Sequence, residues 1–243
     1  MRAITKITVN DFEPDFEAGE IILLDKSVRK SSFDLVYKVR KATGVQKVGH
    51  AGTLDPQATG LVIVCTGKKT KGISQIQELG KTYTGIISLG KTTSSHDSET
   101  EFETENSFEY VTEKEIFLAR DLFIGKVVQT PPMYSAVKVH GQALYKYARK
   151  GVELERKTRE VFIYDFQITG IDLPDIHFEI SCSKGTYIRV IAHDFGKALG
   201  CGAYLKKLRR TRIGEFNVED AFDIEEFKEF VKNNTMILNT GLC

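Results

Sequence analysis

The longest apolar runs in this chain are five or six residues, such as Gly60-Leu-Val-Ile-Val-Cys65, and that length governs what it can build. A membrane span needs about 20 such residues and a secretory signal about 7–15. Neither is expected, so the chain reads as cytoplasmic, with no membrane partner. Short apolar runs flanked by charge instead mark buried strands. With 243 residues, 41% of them hydrophobic, the chain can bury a sizeable core in one or two domains.

Strands are expected in Glu20-Ile-Ile-Leu-Leu-Asp25, in residues 61–65 and in 82–89. Residues 161–168 and 176–183 alternate clearly; in the latter Ile176, Phe178, Ile180 and Cys182 face one way. Ser31-Ser32 caps a helix in which Phe33, Val36, Tyr37 and Val39 have helical spacing and Gly44 is the stop. Helices are also expected over 67–77, 113–123, 143–150, 189–199 and 222–232, whereas 92–106 is polar, acidic and reads as a surface loop. Long loops rather than regular helices separate the strands. The fold class is therefore α+β, a mixed, largely antiparallel central sheet with flanking helices.

A formal net charge of +1 hides opposed blocks. From Lys26 to His50 there are seven Lys/Arg against the single acid Asp34, while from Asp97 to Glu115 eight acids face Lys114 alone. Lys68, Lys69 and Lys71, and then Lys206, Lys207, Arg209, Arg210 and Arg212, add further positive clusters. A solvated helix face explains any one of them, and together they permit a surface that tracks an RNA backbone. Cys65, Cys182, Cys201 and Cys243 form no C-x-x-C pair, and the five histidines show no ligand spacing, so no metal is expected.

The segment Gly49-His-Ala-Gly-Thr-Leu-Asp-Pro-Gln-Ala-Thr-Gly60 is rich in turn formers and presents Asp55 directly before a proline. Such a loop can hold a carboxylate at a cleft while its glycines let a substrate approach the backbone. An Asp-Pro pair also starts ordinary turns, so on these residues alone both readings stand.

His50-Ala-Gly-Thr-Leu-Asp-Pro-Gln-Ala-Thr-Gly-Leu61 closely resembles the catalytic loop of the TruB-type tRNA pseudouridine synthases. Other blocks match in order: Leu23-Leu-Asp-Lys26 followed by Ser31-Ser32, Lys81-Thr-Tyr83, Gln129-Thr-Pro-Pro-Met-Tyr-Ser-Ala136, Tyr145-Lys-Tyr-Ala-Arg149, and Gly185-Thr-Tyr-Ile-Arg189 continuing through Gly200-Cys-Gly-Ala203 to Leu208-Arg-Arg210. The resemblance covers about residues 20–216 and implies the pseudouridine synthase fold. The implied reaction breaks the N1–C1′ bond of a tRNA uridine and rejoins the base through C5. As an isomerisation it demands no cofactor.

The resemblance further implies roles. Asp55 is the essential carboxylate, acting at ribose or base; covalent addition and glycal-type elimination are both open. Tyr83 stacks on the everted uracil and serves in proton transfer, and Arg189 partners Asp55, since a guanidinium within ~4–6 Å keeps a carboxylate ionised. Tyr187, on the same strand face as Arg189 if the strand persists, is a pocket wall; His50 and Leu208 line the space around the flipped nucleotide. Residues of about 129–152 match an insertion that closes over the T arm of tRNA, where Lys146, Arg149 and Lys150 interleave with Tyr145 and Tyr147. Lys26, Arg209 and Arg210 are further phosphate contacts.

Two departures are visible. Little more than one helix follows Phe216, so a full C-terminal RNA-binding module of the PUA type is not expected, and the family's Lys-Pro-x-Gly reads Lys26-Ser-Val-Arg here. The expected organisation is an N-terminal extension (1–19), a catalytic domain (20–216) and a short helical tail (217–243), acting as a monomer with no protein partner. A non-catalytic tRNA-binding protein on the same scaffold is the alternative. A carboxylate-pair glycosidase is disfavoured, because no second acid occupies a comparable loop.

Overall fold

The computed structural model describes residues 2–8 and 13–240, with side chains to residue 234. Cys243 and part of the expected N-terminal extension lie outside the described residues. The chain forms two compact units: residues 1–82 with 209–243, and residues 83–208.

In the first unit, β1 (Ile21–Lys26) leads to α1 (Ser32–Thr43), β2 (Val48–His50), β3 (Thr59–Thr66), a 3-10 turn (Gly67–Gly72) and α2 (Ile73–Glu78). The chain leaves this unit within β4 (Lys81–Leu89). The second unit holds β5 (Lys91–Thr93), β6 (Phe102–Glu105), α3 (Glu113–Asp121), β7 (Gly125–Gln129), β8 (Lys138–Val139), β9 (Gln142–Ala143), α4 (Leu144–Ala148), β10 (Arg159–Asp172), β11 (Asp175–Cys182) and α5 (Ile188–Ala198). The return runs through β12 (Ala203–Ile213) to β13 (Phe216–Asn217) and α6 (Ile224–Thr240).

The first unit is organised on β3. Antiparallel β1 pairs along its whole length, from Ile21 opposite Cys65 to Lys26 opposite Gly60, and the C-terminal half of β12 runs parallel to it with Arg210 opposite Gly60. Every residue of β3 from Gly60 to Thr66 is buried, which is why it reads as an uninterrupted apolar run rather than as an alternation. In the second unit the order is β4-β11-β10-β7, with β10 antiparallel to both neighbours. The expected α+β class, with a mixed and largely antiparallel sheet, is what the chain adopts.

Helix α1 shows how local chemistry sets a boundary. Ser31 accepts the Asp34 amide while the Asp34 carboxylate takes the Ser31 amide, a reciprocal cap, and Gly44 closes the other end at φ 74°. Its buried stripe is Leu35, Val36 and Val39, whereas Phe33 and Tyr37 are about 60% exposed (60% and 61%). The aromatic positions of the expected apolar face therefore point outward.

Three further expectations change. Residues 92–106 are not a plain surface loop: they contain the β5–β6 hairpin, and Thr93, Ser95 and Asp97 are buried. The basic cluster 206–212 lies within strand β12, and the short strand β7 lay unread beside α3. The helix over 67–77 is a 3-10 turn followed by α2.

Candidate active site

The loop carrying Asp55, between β2 and β3, is held at several points from inside the first unit. Lys26 is completely buried, and its ammonium donates to the carbonyls of Ser27, Lys30 and Pro56 at 3.1, 2.8 and 3.4 Å and to that of Ala58. Arg210, 2% exposed, donates through Nε to Leu61 O at 2.7 Å and through its two terminal nitrogens to Thr53 O and Gly52 O, both at 3.3 Å. The Ser32 hydroxyl accepts the Leu54 amide at 2.9 Å and donates back to the Leu54 carbonyl. Arg29 contributes its backbone amide to Pro56 O at 2.8 Å.

Loop carbonyls that would otherwise need water are thus saturated by two buried cations. Hydrogen bonds to charged groups are each worth roughly 1.5–3 kcal/mol, so the backbone around Asp55 is rigidly placed. Gly60 is required at the loop's exit: its φ is 107°, and a Cβ there would stand 2.2 Å from the Arg210 carbonyl oxygen. Asp55 itself is half-buried. Burial lowers the Lys26 pKa to about 8, with the Asp55 charge opposing the shift, so the ammonium form prevails at neutral pH. His50, at the end of β2, is half-buried; burial pushes its pKa down, and the imidazole is neutral at pH 7.

Two expectations are corrected here. Lys26 and Arg210 do not reach a phosphate: both are internal, and their donors are committed to loop carbonyls. Their work is to shape the Asp55 loop. Arg209 remains partly exposed, but its fork grips both oxygens of Asp25 at 3.0 and 2.7 Å, so phosphate binding there would have to break a bidentate pair.

The second unit has its own buried polar node. Arg189, in the first turn of α5 and 3% exposed, places Nη1 3.5 Å from Asp97 Oδ2 and 3.3 Å from the Ser95 carbonyl, and Nη2 3.0 Å from the Tyr134 carbonyl. Asp97, 4% exposed, is also held by the Ser95 hydroxyl at 2.6 Å and the Glu99 amide at 2.9 Å. A guanidinium so deeply buried needs a carboxylate nearby. Asp97 fills that need from within the acidic segment that looked like surface.

Tyr187 is not on a strand with Arg189, because β11 ends at Cys182; it is the residue that starts α5. Its backbone is clamped by the buried Gln129 side chain, which accepts its amide at 2.9 Å and donates to its carbonyl at 3.1 Å, while the Arg159 guanidinium sits 4.8 Å from its ring centre. Tyr83, on β4, is 9% exposed, and Leu208, on β12, is half-buried. Lys146, Arg149 and Lys150 are all exposed around α4, with Arg149 over the Tyr145 ring at 5.4 Å and 3.5 Å from Glu99.

His96, between Ser95 and Asp97 in the chain, stacks on His193 with ring centres 4.0 Å apart and planes 7° from parallel. Burial first, then His193 and Arg189, lowers the His96 pKa to about 3. The unfolded chain takes up a proton near pH 6.5 that the folded one refuses until about pH 3, so stability falls as pH falls through that window. His96 has φ 63°, a conformation asparagine tolerates. Replacing His96 with Asn is therefore expected to flatten the acid limb of the melting-temperature profile below pH 6.5; an unaltered slope would refute this assignment.

Residues 40–188 match the N-terminal domain model of the TruB family pseudouridylate synthases, and residues 189–239 match the tRNA pseudouridylate synthase B C-terminal domain. A tRNA pseudouridine synthase B of Chlorobium chlorochromatii is 49% identical over 221 residues, 89% of this chain and 87% of the relative. That of Flavobacterium johnsoniae is 45% identical over 222 residues, 88% of this chain and 97% of the relative. Among solved structures, a chain of a Cbf5-Nop10-Gar1 complex superposes with a TM-score of 0.70 at 27% identity over 94% of this chain. This chain spans 58% of that one's length.

Proposed function

Because the chain belongs to the TruB family and is a tRNA pseudouridine synthase, we propose that its target is the uridine at position 55, in the T-loop, and that Asp55 supplies the nucleophilic carboxylate. The N1–C1′ bond breaks, the uracil turns, and a C5–C1′ bond forms; C5 loses its proton to solvent and N1 gains one, so the product is an isomer. A base inside a folded loop is stacked, and everting it costs a few kcal/mol that pocket contacts must offset. Tyr83 stacks on the everted uracil and takes part in moving the C5 proton. Arg189 is the catalytic arginine. Tyr187, His50 and Leu208 are substrate-binding residues, and Lys146, Arg149 and Lys150 of the insertion meet the T-arm phosphates.

The observation that carries the reading is the clamp on the Asp55 loop. Two buried cations, Lys26 and Arg210, are devoted to fixing the backbone on either side of one half-buried carboxylate. A turn of merely structural purpose has no use for that expense of buried charge, whereas a reacting carboxylate must be held in place before its substrate arrives. The enzyme acts as a monomer in the cytoplasm, with residues 20–216 as its catalytic part. Among the described residues no helix is long and apolar enough to cross a membrane.

The test is the release of tritium into water from unmodified tRNA labelled at uracil C5. Stoichiometric release, lost when U55 is replaced by C, is the expected result. Binding without release would leave a tRNA-binding protein on the same scaffold.

A further inference from the structure

A groove of about 850 Å³ lies within the first unit between α1 and α6. Six cations line it: Arg29, Lys30, Lys38, Lys41, Lys228 and Lys232. Its single acid, Asp34, is turned back into the α1 cap, where its Oδ2 accepts the Ser31 amide at 2.7 Å and the Ser31 hydroxyl at 2.9 Å. Lys38 and Lys228 share one carboxylate, Glu225, at 4.0 and 2.8 Å. Arg29, Lys30, Lys41 and Lys232 are exposed and have no ion-pair partner among the described residues. Four unneutralised cations around one concave surface repel each other and invite a polyanion.

The groove's position gives the polyanion an identity. Its near end is the Arg29–Lys30 turn, and the Arg29 amide is bonded to the carbonyl of Pro56, the residue next to Asp55. Arg29 adopts φ 63°, an uncommon conformation for a non-glycine residue, and so the turn is held against the Asp55 loop. From there the cations follow α1, which at 1.5 Å per residue extends about 18 Å, long enough for several successive phosphates. Tyr37, 61% exposed, stands on the groove wall as an open ring against which a ribose or base can rest.

We infer that the α1–α6 groove is a second phosphate-tracking surface, which carries the backbone of the same tRNA away from the Asp55 loop, separately from the insertion around α4. This rests on the proposed function only in taking tRNA as the substrate. It also gives the basic stretch 26–50 a role after Lys26 is found to be internal: of the exposed cations there, Arg29, Lys30, Lys41 and Lys47, the first three line the groove.

The test is equilibrium binding of a full-length unmodified tRNA across a salt series, with the full chain carrying Lys30→Gln, Lys41→Gln and Lys232→Gln together. Each lost phosphate contact removes just under one unit from the slope of log K against log salt. The expected result is a slope shallower by about 2–3 units, affinity weaker by tenfold or more at about 0.1 M salt, and a turnover loss that appears in KM rather than kcat. A control that loses the same charge elsewhere, Lys114→Gln with Lys126→Gln and Lys197→Gln, should keep a slope near wild type. An unchanged slope in the groove variant, or an equal change in the control, would overturn the inference and leave the groove to an acidic protein or a small anion. The readout is independent of turnover. A wild-type protein that binds with a groove-dependent slope yet releases no tritium sinks the proposed reaction but not the groove, and release with no groove-dependent slope does the reverse.

Discussion

Asp55→Ala is expected to bring tritium release from C5-labelled tRNA below detection while tRNA affinity stays within about tenfold of wild type, because phosphate contacts carry most of the binding. The asymmetry is the informative part. The Asp55 loop is built by Lys26, Arg210 and Ser32, none of which relies on the Asp55 side chain to hold the loop carbonyls. Removing the carboxylate therefore leaves the loop carbonyls held. Asp55→Asn should behave alike, since it preserves shape and polarity but not the nucleophilic oxygen. If either variant retains more than about a hundredth of wild-type turnover, the carboxylate is dispensable and the proposed chemistry is wrong. A joint collapse of binding and turnover would instead mean that Asp55 serves the fold.

Lys26→Met should have the largest effect on stability. Methionine matches the length of the lysine stem but has no donor, so the carbonyls of Ser27, Lys30, Pro56 and Ala58 would be stranded in a site from which water is excluded. Leaving a buried acceptor unsatisfied costs about 1–3 kcal/mol, and several share this donor. Loss of the positive charge also removes a favourable neighbour of Asp55. A destabilisation of about 3–5 kcal/mol is expected in urea unfolding. In whatever fraction remains folded, turnover should fall with the loosened loop. A loss below about 1 kcal/mol would show that water or backbone movement replaces the ammonium, and that the clamp is not what holds Asp55.

The elements that were legible before folding are those whose signals are local. The serine cap at Ser31 and the glycine stop at Gly44 bound α1 from sequence alone, the reciprocal bond from Asp34 being added by the structure, and the alternation over 176–182 announced β11. Strand β12 carried no such signal: its burial runs in blocks, with Lys206 and Lys207 outward and Arg210 inward, so it looked like a basic surface cluster. Asp97 was hidden likewise among eight acids, seven of which give no hint that the remaining one is buried against a guanidinium 92 positions away.

The residue order by itself determined the reaction class, and did so through resemblance: the Asp55 loop and its companion blocks are contiguous strings that match the TruB-type synthases in order. It also determined the α+β class, through the lengths and periods of its apolar runs. Which basic residues are buried girders and which face solvent was decided only in three dimensions. A lysine or arginine looks the same in sequence whether its donors meet backbone carbonyls or phosphates. The choice depends on carbonyls brought close by long-range pairing, as Gly52 and Thr53 are brought to Arg210 across more than 150 positions of chain.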